Sequence, residues 1–234
     1  MNTLSYTLFI SDLHLEPRQI DLTKKFLEFM KAHQEAQSIY ILGDFFNAFI
    51  GEDDQSAYVE QIKAACRRYA QLGGKIFIMA GNRDFLMQDA FCRSIGATCL
   101  KDPTLKTIYG LECLLTHGDS LCVDDTLHQR WRQFYNRSFF HTLAHAIPLF
   151  FRLKLAKRLR LFSKKRKSTQ PQSIMDVHPK AVLDILTVSG CDYLIHGHTH
   201  RPKDHGHRLV LGAWPDQNCI IQLNQDQTFL RLTP

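Results

Sequence analysis

The sequence predicts an α/β protein in which helices cover a sheet and a helical cap is inserted late in the chain. Short apolar, β-rich runs recur at YTLFIS (6–11), SIYILG (38–43), KIFIMA (75–80), LECLLT (111–116), DYLIHG (192–197) and HRLVLG (207–212). Helix-like segments fill the early gaps at about 20–34, 55–72 and 84–95, the β-α-β rhythm of a helix-covered sheet. Within 55–72, Tyr58, Ile62, Ala65 and Tyr69 share one stripe, and Gly73-Gly74 ends the helix. The stretch 123–176 breaks the rhythm. It reads as helices at roughly 125–137 and 139–161, then the polar run SKKRKSTQPQS. The division expected is a core of 1–122 plus 177–234 and a cap of 123–176.

Bulk properties narrow the class. A chain of 234 residues, 44% hydrophobic and 22% charged, suits one soluble domain with a sizeable insertion. No apolar run reaches the roughly 18 residues of a membrane span, and MNTLSYTLFISDLHL lacks the basic start of a signal peptide. The seven cysteines show no CxxC pairing and several sit in strand-like runs, so most are expected to be small buried hydrophobes in a reducing compartment. The net charge of +6 is local: residues 152–167 hold nine Lys or Arg and no acid, and the remainder carries 20 basic against 23 acidic residues. One surface is therefore expected to meet an anionic partner.

The chemistry sits where the strands end. YTLFIS leads to Asp12 and His14, SIYILG to Asp44, KIFIMA to Asn82, Arg83 and Asp84, LECLLT to His117 and Asp119, and DYLIHG to His198 and His200. Sites in open α/β sheets form beyond the carboxyl ends of strands. A glycine precedes Asp44, Asn82 and His198, which allows a sharp turn and close approach of the next side chain. That punctuation splits the three histidines of LIHGHTH: His196 belongs to the strand, and His198 and His200 are ligand candidates. Asp12, His14, Asp44, Asn82, His117, His198 and His200 are too many for one ion and suit two. Carboxylate, amide and imidazole without thiolate suit manganese, iron or zinc rather than calcium, with Mn2+ preferred. One carboxylate, with Asp44 favoured, bridges the pair, and such centres attack phosphorus. Taken singly, Asp12 or His14 reads as a turn residue or helix cap and His117 as a core histidine. The ordered set at successive strand ends is what favours metal.

The pattern D-x-H, G-D, G-N-[HR], H and G-H-x-H resembles the calcineurin-like metallophosphoesterase superfamily. The resemblance implies a four-layer αββα sandwich. It places Asp12, His14, Asp44 and His200 at one ion and Asp44, Asn82, His117 and His198 at the other. SDLHL, YILGDFFNAFIGEDD, GNRDFL, THGDSLCVDD, SIMDV and LIHGHTHRP together resemble the UDP-2,3-diacylglucosamine hydrolase family of lipid A biosynthesis. That likeness spans nearly the whole chain. It implies cleavage of a pyrophosphate to UMP and 2,3-diacylglucosamine 1-phosphate, with substrate contacts from Asn82, Arg83, Asp125, Ser163, Lys167 and His198. Asn47 and Phe49 stand where that family has an acid and a tryptophan, Gln170 where it has a last cap lysine, and Ala213 where Asp is common.

The insertion FFHTLAHAIPLFFRLKLAKRLRLF mixes apolar and basic residues. That suits acyl chains and the anionic inner leaflet, so a monomer attached peripherally to the cytoplasmic side of the inner membrane is expected. The plainer alternative is a solvated basic helix whose leucines pack on the core. Nucleic acid is not expected, because interleaved stacking aromatics are missing. In the expected reaction, water activated between the ions attacks the α-phosphorus, and His117 and Asn82 hold the centre. Arg83, which cannot give up its proton, stabilises transition-state charge. His117 or Asp84 is the alternative proton donor. Competing readings are another di-metal phosphodiesterase, acting on nucleotides or nucleic acid, and a metal-free binding scaffold.

Overall fold

The computed structural model describes residues 5–169, 176–215, 217 and 219–232, with the side chains at 138, 145 and 160–169 outside that description. Strands β1 (Tyr6–Ile10), β2 (Ser38–Leu42), β3 (Lys75–Met79) and β4 (Ala97–Leu100) run parallel, in spatial order. Antiparallel β10 (Ile220–Asn224) and β11 (Phe229–Leu232) extend this sheet beyond β1. The second sheet has the order β5 (Thr104–Ile108), β6 (Leu111–Thr116), β7 (Tyr193–His196), β9 (Arg208–Val210), β8 (Lys203–Asp204). Its centre, β6-β7-β9, is parallel.

Side-chain alternation along the strands builds the layers. Leu8, Ile10, Ile39 and Ile41 pack with Phe26, Phe29 and Met30 of α1 (Ile20–Ala32) and with Ile62, Cys66 and Tyr69 of α2 (Ala57–Gln71). α3 (Asp89–Ser94) adds Phe91 and Cys92 to the same core. The intervening Phe9, Tyr40 and Leu42 face the other way and meet Cys113, Leu115, Ile195 and Leu209 of the second sheet. On that sheet's outer face, Leu114 and Leu194 pack with Val182 of α7 (Pro179–Ser189). Helix, sheet, sheet and helix form the four layers expected.

The six predicted strands are present. Of the other five strands, β4 and β8 are short and β5 and β11 carry exposed apolar residues such as Leu105 and Leu230, so no continuous apolar run marks those four, whereas β10 is buried through Ile220, Ile221 and Leu223. α7 is also additional. It is bounded by Pro179 in its first turn and by Gly190, left-handed at φ 60°, a common helix stop. The insertion forms three helices rather than two: α4 (Thr126–Tyr135), α5 (Ser138–Ala146) and α6 (Leu149–Thr169). Pro148 lacks an N–H, and Ile147 before it is extended at φ −80°, ψ 128°, so α5 and α6 cannot join.

An aromatic stack and a buried arginine are among the attachments that hold the insertion to the core. Phe85, just after β3, stacks on Tyr135 of α4 at 4.4 Å between ring centres and meets Phe140 of α5 at 5.9 Å. Arg152 of α6 is 6% exposed and donates to the Ile50 carbonyl and the Asp53 carboxylate. The first arginine of the basic run 152–167 is therefore a buried anchor and adds nothing to the surface expected to meet an anionic partner.

Candidate metal centre

The loops after β1, β2, β6 and β7 converge at one end of the two sheets and lock to each other through the backbone. The Asp12 N–H donates to the Gly43 carbonyl at 3.1 Å, His14 N–H to Asp44 at 2.9 Å, and Gly197 N–H to His117 at 3.0 Å. Asp12, His14, Asp44, His198 and His200 all have positive φ, between 51° and 67°. A non-glycine residue there costs about 1–3 kcal/mol and persists only where its surroundings impose it. Five such residues are candidate ligands, which concentrates backbone strain at this rim. The glycines beside them make room. A Cβ on Gly81 would strike Asp44, and one on Gly197 would strike Ser11 and Asp12.

The side chains meet in two groups around Asp44. On one side, His200 Nε2 lies 3.2 Å from Asp12 Oδ1 and 3.1 Å from His14 Nε2. On the other, His198 Nδ1 lies 3.3 Å from His117 Nε2. Asp44 stands between them, with Oδ2 3.8 Å from His14 Nδ1 and Oδ1 3.7 Å from His117 Nε2. In the sets Asp12/His14/His200 and Asp12/Asp44/His117, donor atoms lie within 4.8 Å of one another. Among the described residues, buried Asp12 Oδ1, His14 Nδ1 and Asn82 Oδ1 have no hydrogen-bond partner. Buried polar atoms are ordinarily satisfied. Orphaned oxygens and nitrogens lining a nitrogen/oxygen cluster without thiolate fit divalent cations.

His196 stands apart. It is fully buried and its Nδ1 lies 2.9 Å from the Gly197 carbonyl, whereas His198 Nδ1 faces His117 Nε2 at 3.3 Å. Burial pushes its pKa down to about 4, despite the Gly197 carbonyl. His14 is likewise pushed down to about 4 by burial, which outweighs Asp44. For His117 burial acts downward too, but Asp44, Asp12 and Asp119 outweigh it and lift the imidazole to about 9. Burial would raise Asp12, yet His200 at 3.2 Å and the fields of His117 and His14 hold it well below the usual carboxylate range.

Arg83 leans over the centre. Its backbone N–H donates to Asp44 Oδ1 at 2.9 Å, and its Nε lies 3.5 Å from Asp44 Oδ2. Its guanidinium also donates to Asn47 Oδ1 at 2.5 Å, and Asn47 donates to Glu16 at 2.7 Å. Asn47 thus orients the arginine. Phe49 packs 5.1 Å from Phe91 and is core rather than surface. Asp84 is fully buried and accepts from the N–H groups of Gly81, Phe45 and Phe46. Burial and the Asp44 charge raise it to about 7, but it is enclosed and ties two loops together, a poor position for a proton donor to substrate.

The remaining candidates lie on the insertion. Asp125 caps α4, accepting from the His128 N–H at 3.0 Å. The His128 ring stacks on His198 with centres 5.9 Å apart, which brings the start of α4 to the candidate ligands. α6 runs through Ser163 and Lys167, whose side chains lie outside the described residues, as does Gln170. Residues that sequence reasoning missed include Asp102, His128 and Arg132, which surround His117 and Asp119 from outside any motif.

The calcineurin-like phosphoesterase family model matches residues 6–202. A UDP-2,3-diacylglucosamine hydrolase of Pseudomonas aeruginosa (strain UCBPP-PA14) is 41% identical over 226 residues, covering 93% of this chain and 94% of that protein. The chain belongs to the UDP-2,3-diacylglucosamine hydrolase family of calcineurin-like phosphoesterases. Proteins of the same name from Azotobacter vinelandii (strain DJ / ATCC BAA-1303) and Enterobacter sp. (strain 638) are 40% and 38% identical, covering 97% and 94% of the chain and 98% and 95% of those proteins. The chain is thus a hydrolase of the phosphoesterase class, and its family implies divalent ions at the centre described.

Proposed function

We propose that the chain hydrolyses the pyrophosphate bond of UDP-2,3-diacylglucosamine, giving UMP and 2,3-diacylglucosamine 1-phosphate for lipid A biosynthesis. The observation that carries the reading is the converged set Asp12, His14, Asp44, His117, His198 and His200, in a chain that aligns with the named hydrolases over 93% of its length. Two divalent ions, Mn2+ by preference, would be held by these side chains and Asn82; when bound they polarise phosphoryl oxygens and lower the pKa of water. Asp44 offers one oxygen to each half of the site. Arg83, held by Asn47, supplies a fixed positive charge for the charge developing on the α-phosphate. Asn82, Asp125, Ser163, Lys167 and His198 are the remaining proposed substrate contacts.

The insertion supports the lipid half of the reading. Phe150, Phe151, Leu153, Leu155 and Leu159 are all 43–60% exposed on α6, alongside exposed Lys154, Lys157 and Arg158. Exposed apolar and cationic groups together suit acyl chains and an anionic membrane surface. No described helix is long and apolar enough to cross a membrane; the attachment proposed from the exposed face of α6 is peripheral, by a monomer. Incubating the purified chain with UDP-2,3-diacylglucosamine and Mn2+ tests the reading by UMP release. No UMP from that substrate, with a simple phosphodiester still cleaved, would favour a nucleotide or nucleic-acid phosphodiesterase instead.

A further inference from the structure

One arginine of the insertion reaches behind the metal ligands. Arg132 of α4 donates through Nη2 to Asp102 Oδ2 at 2.9 Å and through Nε to Asp119 Oδ1 at 3.2 Å. Neither carboxylate is spent on the arginine alone. Asp102 Oδ1 accepts from the His117 backbone N–H at 3.2 Å and from the Thr116 hydroxyl at 2.6 Å. Asp119 Oδ2 lies 3.1 Å from His128 Nε2 and accepts from the Tyr135 hydroxyl at 3.3 Å. The His128 ring stacks on His198, and His198 meets His117 edge-on at 5.0 Å. The guanidinium therefore ends two short chains of contacts. One runs through Asp102 to the backbone of His117, the other through Asp119 and His128 to the ring of His198. These are the two imidazoles on one side of Asp44.

We propose that Arg132 is a positioning residue, which couples seating of the helical insertion to the geometry of the His117/His198 half of the metal centre. Its charge suits the task, because buried Asp119 and half-buried Asp102, whose side chain is 12% exposed, both face it, and a planar fork fixes both directions at once. Partners that orient metal ligands from behind typically matter by 10–100-fold in metal affinity or activity. Arg152 is the internal contrast. It also anchors the insertion, but to Ile50 and Asp53, and the contacts described for it do not reach the metal ligands.

The inference rests on His117 and His198 being metal ligands, and the experiment separates the two claims. Chelator-stripped wild type, Arg132→Met and Arg152→Met are compared for Mn2+ binding by equilibrium dialysis. Circular dichroism checks folding, and kcat and KM are measured on a small phosphodiester. The expected result is two ions in wild type, with one bound at least about tenfold more weakly in Arg132→Met. That variant should lose kcat with little change in KM, while Arg152→Met keeps wild-type affinity. Unchanged Mn2+ affinity in folded Arg132→Met, or equal weakening in both variants, would overturn the coupling while leaving the metal reading intact. A wild type that binds no Mn2+ would overturn both. If Arg132→Met does not fold, Asp102→Asn carries the same expectation and the same contradiction.

Discussion

The rim of strand-end loops and the helical insertion are built on opposite terms. At the rim, polar side chains are buried, the backbone is strained and the loops are tied to each other: Asp12, Asp44 and His117 are at most 2% exposed. On α5 and α6, apolar side chains such as Phe139, Leu143, Phe150 and Phe151 are 51–60% exposed. Each inverts the ordinary rule of burial. Buried ionisable groups without full hydrogen bonding call for cations, and exposed apolar groups beside lysines call for an anionic, apolar surface. A pyrophosphate esterified to a lipid would use both regions at once.

The largest break in that contrast comes from the rim. Asp44→Ala removes the carboxylate that faces both imidazole groups. Losing several kcal/mol of transition-state stabilisation lowers kcat by on the order of 10³-fold, measured as UMP release. The insertion should still dock, because Phe85–Tyr135 and Arg152 do not depend on Asp44.

A smaller, graded effect follows from pH. His117 is lifted to about 9, above its ordinary value, so the ion-free imidazole is protonated at neutral pH and a cation must displace that proton. Affinity should rise about tenfold per pH unit toward pH 9 and level off above it. His14, already neutral above about 4, adds nothing there. Calorimetry at pH 7 in buffers of different ionisation enthalpy should register one proton released. Affinity flat across about pH 6.5–8.5 would show that His117 is not displaced.

The smallest change is expected on the insertion. Phe150→Ser with Phe151→Ser removes exposed side chains, so stability should stay within about 0.5 kcal/mol per site. Sedimentation with anionic vesicles should fall and KM for the lipid substrate should rise, while turnover of a small phosphodiester is unchanged. Equal loss on both substrates would place these phenylalanines in the fold rather than at the lipid.

The same contrast explains what the sequence disclosed. The rim was legible because each candidate ligand sits one to four residues past an apolar strand, with a glycine marking the turn at Asp44, Asn82 and His198. Position in the chain stood in for position in space. Edge strands such as β5 and β11 were not legible, because half their side chains face water. Nor was the break at Pro148 between α5 and α6, lost inside an apolar run. In the sequence, Arg132 and Arg152 are indistinguishable from ordinary helix-surface charges. Their roles depend on Asp119, Asp102 and Asp53, which lie 13, 30 and 99 residues from their arginines, and no helix-period pattern encodes such pairings.

The account turns on the unequal histidines of LIHGHTH. Counting bound Mn2+ per chain by elemental analysis in wild type, His196→Ala, His198→Ala and His200→Ala tests it most directly. The account predicts two ions in wild type and in His196→Ala, and fewer than two, with hydrolysis lost, in each of the others. Three variants that lose metal alike, or a wild type that hydrolyses substrate with no ion bound, would contradict it.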